Sequence, residues 1–353
     1  MPSVVHVVVT NSFAGAERYV SDVARETARR GWDVHVVGGH HQRMPGELGR
    51  TVRWHPGSTP IQALASLARI GRQDVCHVHM TYAEAVGVAA RHLHRGKLIS
   101  TRHFAQRRGS TPGGRLLAPW IARHLDREVA IGQHVAASLE RPPHAVVPSG
   151  VRLLDVLWSV DSRVVLVVQR LESEKDTATA IRAWHLSGLA SVGWRMRVVG
   201  DGSQRSALEE LIRAERIAGC ELAGWQADVA SEFGIAGMML ASTPNEGLGL
   251  AVAEAMSAGV PVVATAAGGH LELLGPYADV TGFPVGDAHV AATILRRLAA
   301  ADDLRRELSA VLRSRQRELF SVERCVTQLL AEYCGSGTSG KWIEGPRVGV
   351  KLR

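Results

Sequence analysis

An α/β fold with two doubly wound parallel sheets is the architecture this chain predicts. Three observations carry that expectation. Short β-branched runs alternate with amphipathic helical patterns, the alternation stops and restarts near residue 152, and 353 residues suffice for two domains. The first series of runs is Val4–Thr10, Asp33–Gly38, Val75–His79, Lys97–Thr101 and Glu128–Gly132. The second is Arg163–Arg170, Met196–Gly200, Cys220–Gly224, Met238–Ala241 and Pro261–Ala264. Short strands between amphipathic helices pack as a parallel sheet covered on both faces. The turn Val147-Pro148-Ser149-Gly150-Val151 separates the series, so the domains are read as 1–152 and 153–335. Helical patterns at 287–301, 302–318 and 322–334 close the second domain, and 336–353, rich in Gly and Ser without a period, reads as a loose tail.

Charge narrows the function classes. A net charge of +7 and a pI near 9.7 invite a nucleic-acid reading. The basic residues are spread thinly, however, and aromatic residues make up only 5%, too few to stack bases. A mild positive field serves an anionic small molecule or a membrane surface as well. Only Lys97, Lys175, Lys341 and Lys351 among the 41 cations are lysine, a bias that a GC-rich genome imprints. No apolar run reaches the ~18 residues of a membrane span, and Met1-Pro2-Ser3 lacks the basic start of a leader, so the expected compartment is the cytoplasm. Cys76, Cys220, Cys325 and Cys334 show no paired spacing and are expected to be reduced and structural.

The most informative stretch is Pro244-Asn245-Glu246-Gly247-Leu248-Gly249-Leu250, continuing as an apolar helical pattern through Glu254 to Gly259-Val260-Pro261. A glycine turn that opens a helix leaves backbone N–H groups unpaired at the positive end of the dipole, which suits a phosphate. Glu246 in the turn and Glu254 about two turns into the helix offer acceptors to hydroxyl pairs. Spacing alone fits an ordinary helix with two surface glutamates. The glycine turn tips the reading toward a sugar bonded to a nucleotide diphosphate.

Other positions are weaker alone. Asn11–Arg18, with Gly15, is a strand–glycine–helix loop without a P-loop or dinucleotide signature, so a plain turn fits as well. Arg170 ends a second-domain strand and Lys175 opens the next helix, where two cations would neutralise a diphosphate leaving group, although such charges are usually solvated. Gly200-Asp201-Gly202 is a tight turn. Gly224-Trp225 would flank a base, although a tryptophan is more often packing. His103 ends a first-domain strand, and contact with substrate competes with the bland reading of one histidine among 16. No Asp-x-Asp pair occurs, which argues against a metal-bridged diphosphate. Serine-hydrolase elbows, HExxH and CxxC motifs are also missing.

In this order the motifs resemble glycosyltransferase family 4: retaining transferases of nucleotide-activated sugars with the GT-B fold. The likeness runs from Ala14-Gly15-Ala16-Glu17 to Tyr333, and is strongest at Gln169-Arg170-Leu171, Lys175, Val199–Gly202 and Glu246–Thr265. The family's Gly-Gly stands as Ala14-Gly15 here. The resemblance implies that Arg170 and Lys175 hold the donor diphosphate, Glu254 the ribose and Glu246 the sugar. Gly247, Leu248, Gly249 and Leu250 would lend backbone N–H groups, Gly15 would lie against the phosphates with Gly200 and Gly224 lining the donor site, and His103 would touch the sugar. It further implies transfer with retention and without metal or cofactor, a diphosphate oxygen taking the acceptor's proton.

Two other readings compete with hexosyl transfer to a hydroxyl in natural-product or glycolipid synthesis. A GT-B nucleotide-sugar epimerase would need clustered acids at the sugar. A non-catalytic binder would keep the donor site without turnover. The acceptor is open between a small molecule and an anionic lipid. The basic stretch Arg107–Arg115 with Leu116–Ile121 would touch a membrane or form an acceptor loop, and the lack of a long basic amphipathic helix favours a soluble acceptor.

Overall fold

The computed structural model describes residues 1–109, 114–156 and 158–335. Among the described residues the chain divides into two compact units: Met1–Val151 joined by residues 320–335, and the intervening Arg152–Leu319.

The first unit is built on seven parallel strands: β1 Ser3–Val8, β2 Asp33–Gly38, β3 Arg53–His55, β4 Val75–His79, β5 Lys97–Arg102, β6 Arg127–Ala130 and β7 Ala145–Val146. Their order is β3-β2-β1-β4-β5-β6-β7, so the winding reverses between β1 and β4. Side chains alternate across the sheet with period two. Val5, Val7, Cys76 and Val78 pack under the helices Pro60–Ile70 and Met80–Ala89. Val4, Val8, Val34 and Val36 face the helices Gly15–Arg29 and Val322–Cys334. His6, His77, His79 and Thr101 share that second face by register, His6 lying opposite His77 and His79 opposite Thr101.

The helix Val322–Cys334 corrects the expected 153–335 domain. Its Val322, Cys325, Val326, Leu329 and Tyr333 belong to the first unit's core. The Tyr333 hydroxyl lies 2.6 Å from His77 Nδ1, Lys97 Nζ donates to the Glu332 carbonyl at 2.7 Å, and Arg30 donates to the Glu323 carbonyl at 2.7 Å. The return is stitched where Val151 N–H donates to the Phe320 carbonyl at 2.9 Å. Gly150 lies so close there that a Cβ would sit 2.3 Å from the Ser321 carbonyl oxygen. Sequence order hides this crossover, because the apolar face of a helix does not say which sheet it covers.

The second unit has six parallel strands: β8 Val164–Val168, β9 Arg195–Val199, β10 Cys220–Gly224, β11 Met238–Ala241, β12 Val262–Thr265 and β13 Gly282–Phe283. Their order is β10-β9-β8-β11-β12-β13, which puts the reversal between β8 and β11. Trp184, on the helix Thr177–Ser187, fills the core beside Val165, Met196 and Leu298, and its indole N–H donates to the Ala218 carbonyl at 2.9 Å. Three strands were not anticipated: β3, β7 and β13, each of two or three residues and too short to show a pattern. The closing helices Ala288–Ala300, Asp302–Leu319 and Val322–Cys334 lie within a residue of their expected spans. All four cysteines are unpaired. Among the described residues no helix is long and apolar enough to cross a membrane.

Burial keeps four of the first unit's histidines uncharged. His6 and His103 are pushed from the ordinary 6.5 down to about 3, and His77 and His79 well below it. Unfolded imidazoles take up a proton near pH 6.5, whereas folded His6 and His103 refuse it until about pH 3. Stability is therefore present above pH 6.5 and falls as pH drops through that window, by up to about 1.4 kcal/mol per pH unit for each histidine. The urea midpoint of the first unit should fall steeply between about pH 7 and pH 5, and His6→Leu should flatten the slope by about one proton. A midpoint independent of pH would contradict this.

Candidate functional site

In the second unit, the loops after β8, β11 and β12 meet at the carboxyl edge, on the reversal where ligands bind in open α/β sheets. Gln169, just past β8, ties them together. Its amide donates to the Lys175 carbonyl at 3.2 Å and to Thr177 Oγ1 at 2.8 Å, and its oxygen accepts from Thr243 Oγ1 at 3.4 Å. Ser242 Oγ, past β11, donates to the Asp176 carbonyl at 2.7 Å. Lys175 is thereby held in a 3-10 turn, Ser173–Lys175, and the helix proper begins at Thr177 behind its cap Asp176. Sequence reading had Lys175 opening that helix; the cap's left-handed φ of +48° breaks the two apart.

Lys175 Nζ reaches Glu246 Oε2 at 2.6 Å, and both side chains stay partly accessible. The backbone around Glu246 is clamped: its carbonyl accepts from Gly269 N–H at 2.8 Å. A Cβ on Gly269 would fall 2.2 Å from Leu248 Cα, so only glycine lets the loops after β11 and β12 approach this closely. Gly247, Leu248 and Gly249 are buried, Leu250 half-buried. Gly249 caps the helix Leu250–Ala258 with φ +100°, aiming its first N–H groups into the turn. Glu254 lies buried on that helix.

His270 sits beside these residues and escaped sequence reasoning. It is 2% exposed, with Nδ1 2.9 Å from Thr265 Oγ1 and its Cδ2 edge against Gly249. Burial lowers it to about 4; the Glu246 carboxylate partly offsets this and Lys175 adds to it. The signal that could have found it is Gly268-Gly269-His270, a third strand–glycine–helix junction after β12.

The remaining expected donor residues scatter. Arg170 is two residues beyond β8 rather than ending it, and its guanidinium, 58% exposed, pairs with Glu174 at 2.7 Å. Gly200 has a packing reason: at φ +135°, a Cβ would fall 1.9 Å from the Gln169 carbonyl oxygen. Gly224 ends β10 at φ +74° and accepts from Gly200 N–H at 2.9 Å. Trp225 next to it is largely exposed.

In the first unit, His103 is not the isolated histidine the sequence showed. Its Nε2 lies 3.1 Å from His79 Nδ1, and His79 Nε2 lies 3.1 Å from His6 Nδ1. The Tyr19 ring stands edge-on to His103 at 4.9 Å. Each neutral ring carries one proton, so the row is polarised in one direction. His6 Nε2 is buried without a partner, and a bare N–H there costs more than a bare lone pair. The row therefore runs His6 to His79 to His103 and presents Nδ1–H of His103. Gly15 opens the helix Gly15–Arg29, exposed, in a loop braced by Glu17. That carboxylate accepts from Thr10 Oγ1 at 2.7 Å, Ser12 Oγ at 3.0 Å and Ala14 N–H at 2.8 Å.

Arg108 corrects the reading of 107–115 as a basic surface stretch. Its guanidinium is buried, 2.6 Å from Glu84 and also paired with Glu128. Residues 110–113 lie outside the described residues. Among the described residues, only His6, His77 and His79 group as metal-type ligands. Both nitrogens of His77 already face Tyr333 and Thr101.

Comparison with known proteins places these units. Residues 13–153 match the family Glycosyltransferase Family 4, and residues 155–315 match Glycosyl transferases group 1. An exopolysaccharide phosphotransferase of Streptomyces coelicolor is 30% identical over 182 residues, 51% of this chain but 19% of that protein. The N-acetyl-α-D-glucosaminyl L-malate synthase of Bacillus anthracis is 25% identical over 293 residues, 75% of each chain. The chain thus spans about a fifth of the first relative and three quarters of the second. Among solved structures, Anabaena HepE in complex with UDP superposes with a TM-score of 0.75 at 18% identity, covering 96% of this chain and 100% of that one. That likeness is one of fold, the GT-B class expected from the sequence.

Proposed function

We propose that this chain, which joins a Glycosyltransferase Family 4 domain to a glycosyl transferases group 1 domain, moves a hexose-type sugar from a nucleotide diphosphate to an acceptor hydroxyl. The observation that carries the reading is the Lys175–Glu246 pair beside the Gly247–Leu250 turn, at the reversal between β8 and β11. One cation, one carboxylate and a helix N-terminus are what a sugar diphosphate needs: charge for the phosphates and an acceptor for the hydroxyls.

In this reading the pair keeps both groups ordered until the donor arrives. Lys175 then exchanges Glu246 for a diphosphate oxygen, and the released carboxylate accepts hydrogen bonds from the sugar. Arg170, exposed on its Glu174 partner, swings to the same diphosphate. Glu254 takes the ribose. As the bond to the anomeric carbon breaks, Lys175, Arg170 and the N–H groups at the start of Leu250–Ala258 stabilise the departing diphosphate. A diphosphate oxygen accepts the acceptor's proton and the anomeric configuration is retained. No metal takes part, because these groups supply its positive charge. The UDP and UDP-glucose complexes of Anabaena HepE support a uridine donor, and the name of the Bacillus relative supports a small acceptor carrying a hydroxyl.

Calorimetry with UDP and UDP-glucose, and the GDP and dTDP equivalents, tests the site. Glu254→Gln should weaken nucleoside diphosphate binding by about tenfold or more. Glu246→Gln should leave it nearly intact while lowering transfer, and equal losses in both variants would refute the assignment. Lys175→Ala and Arg170→Ala should each lower turnover by about two to three orders of magnitude. Transfer should proceed fully in EDTA and give an α product from an α-linked donor. Activity lost to the chelator and restored by Mg²⁺, or a β product, would overturn the respective claim. Isomerised donor without transfer would indicate the epimerase, and binding without turnover the non-catalytic binder.

A further inference from the structure

His270 has a fixed tautomer, readable from hydrogen-bond counting. Thr265 Oγ1 donates its one hydrogen to the Thr243 carbonyl at 2.7 Å, since a carbonyl only accepts. At its other contact, 2.9 Å from His270 Nδ1, Thr265 Oγ1 must therefore accept. Nδ1 of His270 thus carries the proton and Nε2 is a bare lone pair. Among the described residues, Nε2 has no hydrogen-bond partner, although the residue is 2% exposed. It lies at the edge of the ring that meets Gly249, where a Cβ would come within 3.1 Å of it. Gly249 is glycine for its φ of +100° and also because a side chain would occupy this space. The charged groups that act on the ring are Glu246 and Lys175.

We infer that His270 is a specificity residue of the donor site, whose Nε2 accepts a hydrogen bond from a hydroxyl of the donor sugar next to Glu246. The inference rests on the nucleotide-sugar reading above. A lone pair repels a phosphate oxygen and welcomes a hydroxyl, so His270 sets a polarity across the site. Phosphates belong on the side of Lys175 and the helix N-terminus; hydroxyls belong between His270 and Glu246. Because burial holds the ring near pKa 4, the acceptor stays available at neutral pH.

The test compares two amide replacements by calorimetry with UDP and with UDP-glucose, or with whichever nucleotide and nucleotide sugar the wild type binds best. Asn places its amide near Nδ1, where it can still donate to Thr265, and has no atom at Nε2. Gln reaches the Nε2 position. His270→Asn should leave UDP affinity within about twofold and weaken the sugar nucleotide about tenfold, the size of one lost hydrogen bond. His270→Gln should recover part of that loss. In the unliganded wild type, long-range ¹H–¹⁵N spectra should show the proton on Nδ1. Equal effects on nucleotide and nucleotide sugar, no effect on either, or a proton on Nε2 would overturn the inference. A wild type that binds none of the nucleotide sugars would fail at the prior reading, and this one with it.

Discussion

Lys175 and Glu246 are 71 positions apart in the chain, and their 2.6 Å contact exists because β8 and β11 lie side by side where the winding reverses. At such a reversal the loops leave neighbouring strands in opposite directions and open a crevice. What closes the crevice to ion-pair distance is backbone approach. Gly269 lets the loop after β12 press onto Leu248, and Gly200 lets the end of β9 press onto Gln169. Gln169 in turn holds the turn that carries Lys175. A side chain at either glycine would meet main chain, which cannot yield as a flexible side chain does.

Neutrality of the histidines is the second constraint. His270 is buried by the same packing that positions Glu246, and its proton is fixed by Thr265 and the Thr243 carbonyl. In the first unit, burial acts on a row of rings, and each hydrogen bond in the row requires exactly one proton per imidazole. Directional hydrogen bonding and acid sensitivity thus have one origin: rings that donate on one side and accept on the other at neutral pH are rings that resist protonation when folded.

Much of this was legible in the sequence where a pattern is local. Glu246, Gly247, Gly249 and Glu254 sit in one strand–turn–helix segment, so their placement could be read from residue order. The long valine-rich strands announced themselves in the same way. Features made by distant segments were hidden. The helix Val322–Cys334 shows an apolar face but not its destination, and Tyr333 finds His77 across 256 positions. Arg108 looked like a surface cation because Glu84 and Glu128, which bury it, are not its neighbours in sequence. His103 looked isolated for the same reason, its partners lying on β4 and β1. His270 stands beside a visible glycine pair, but nothing local shows that Thr265 would set its tautomer.

The central claim is that the donor binds at the carboxyl edge of β8 and β11 in the second unit. Amide hydrogen exchange with and without saturating UDP-glucose tests it most directly. The account predicts protection concentrated in residues 173–177, 246–252 and 266–270, with the N–H groups that open Leu250–Ala258 slowed most. Protection elsewhere in the chain, with those three segments unchanged, would contradict it.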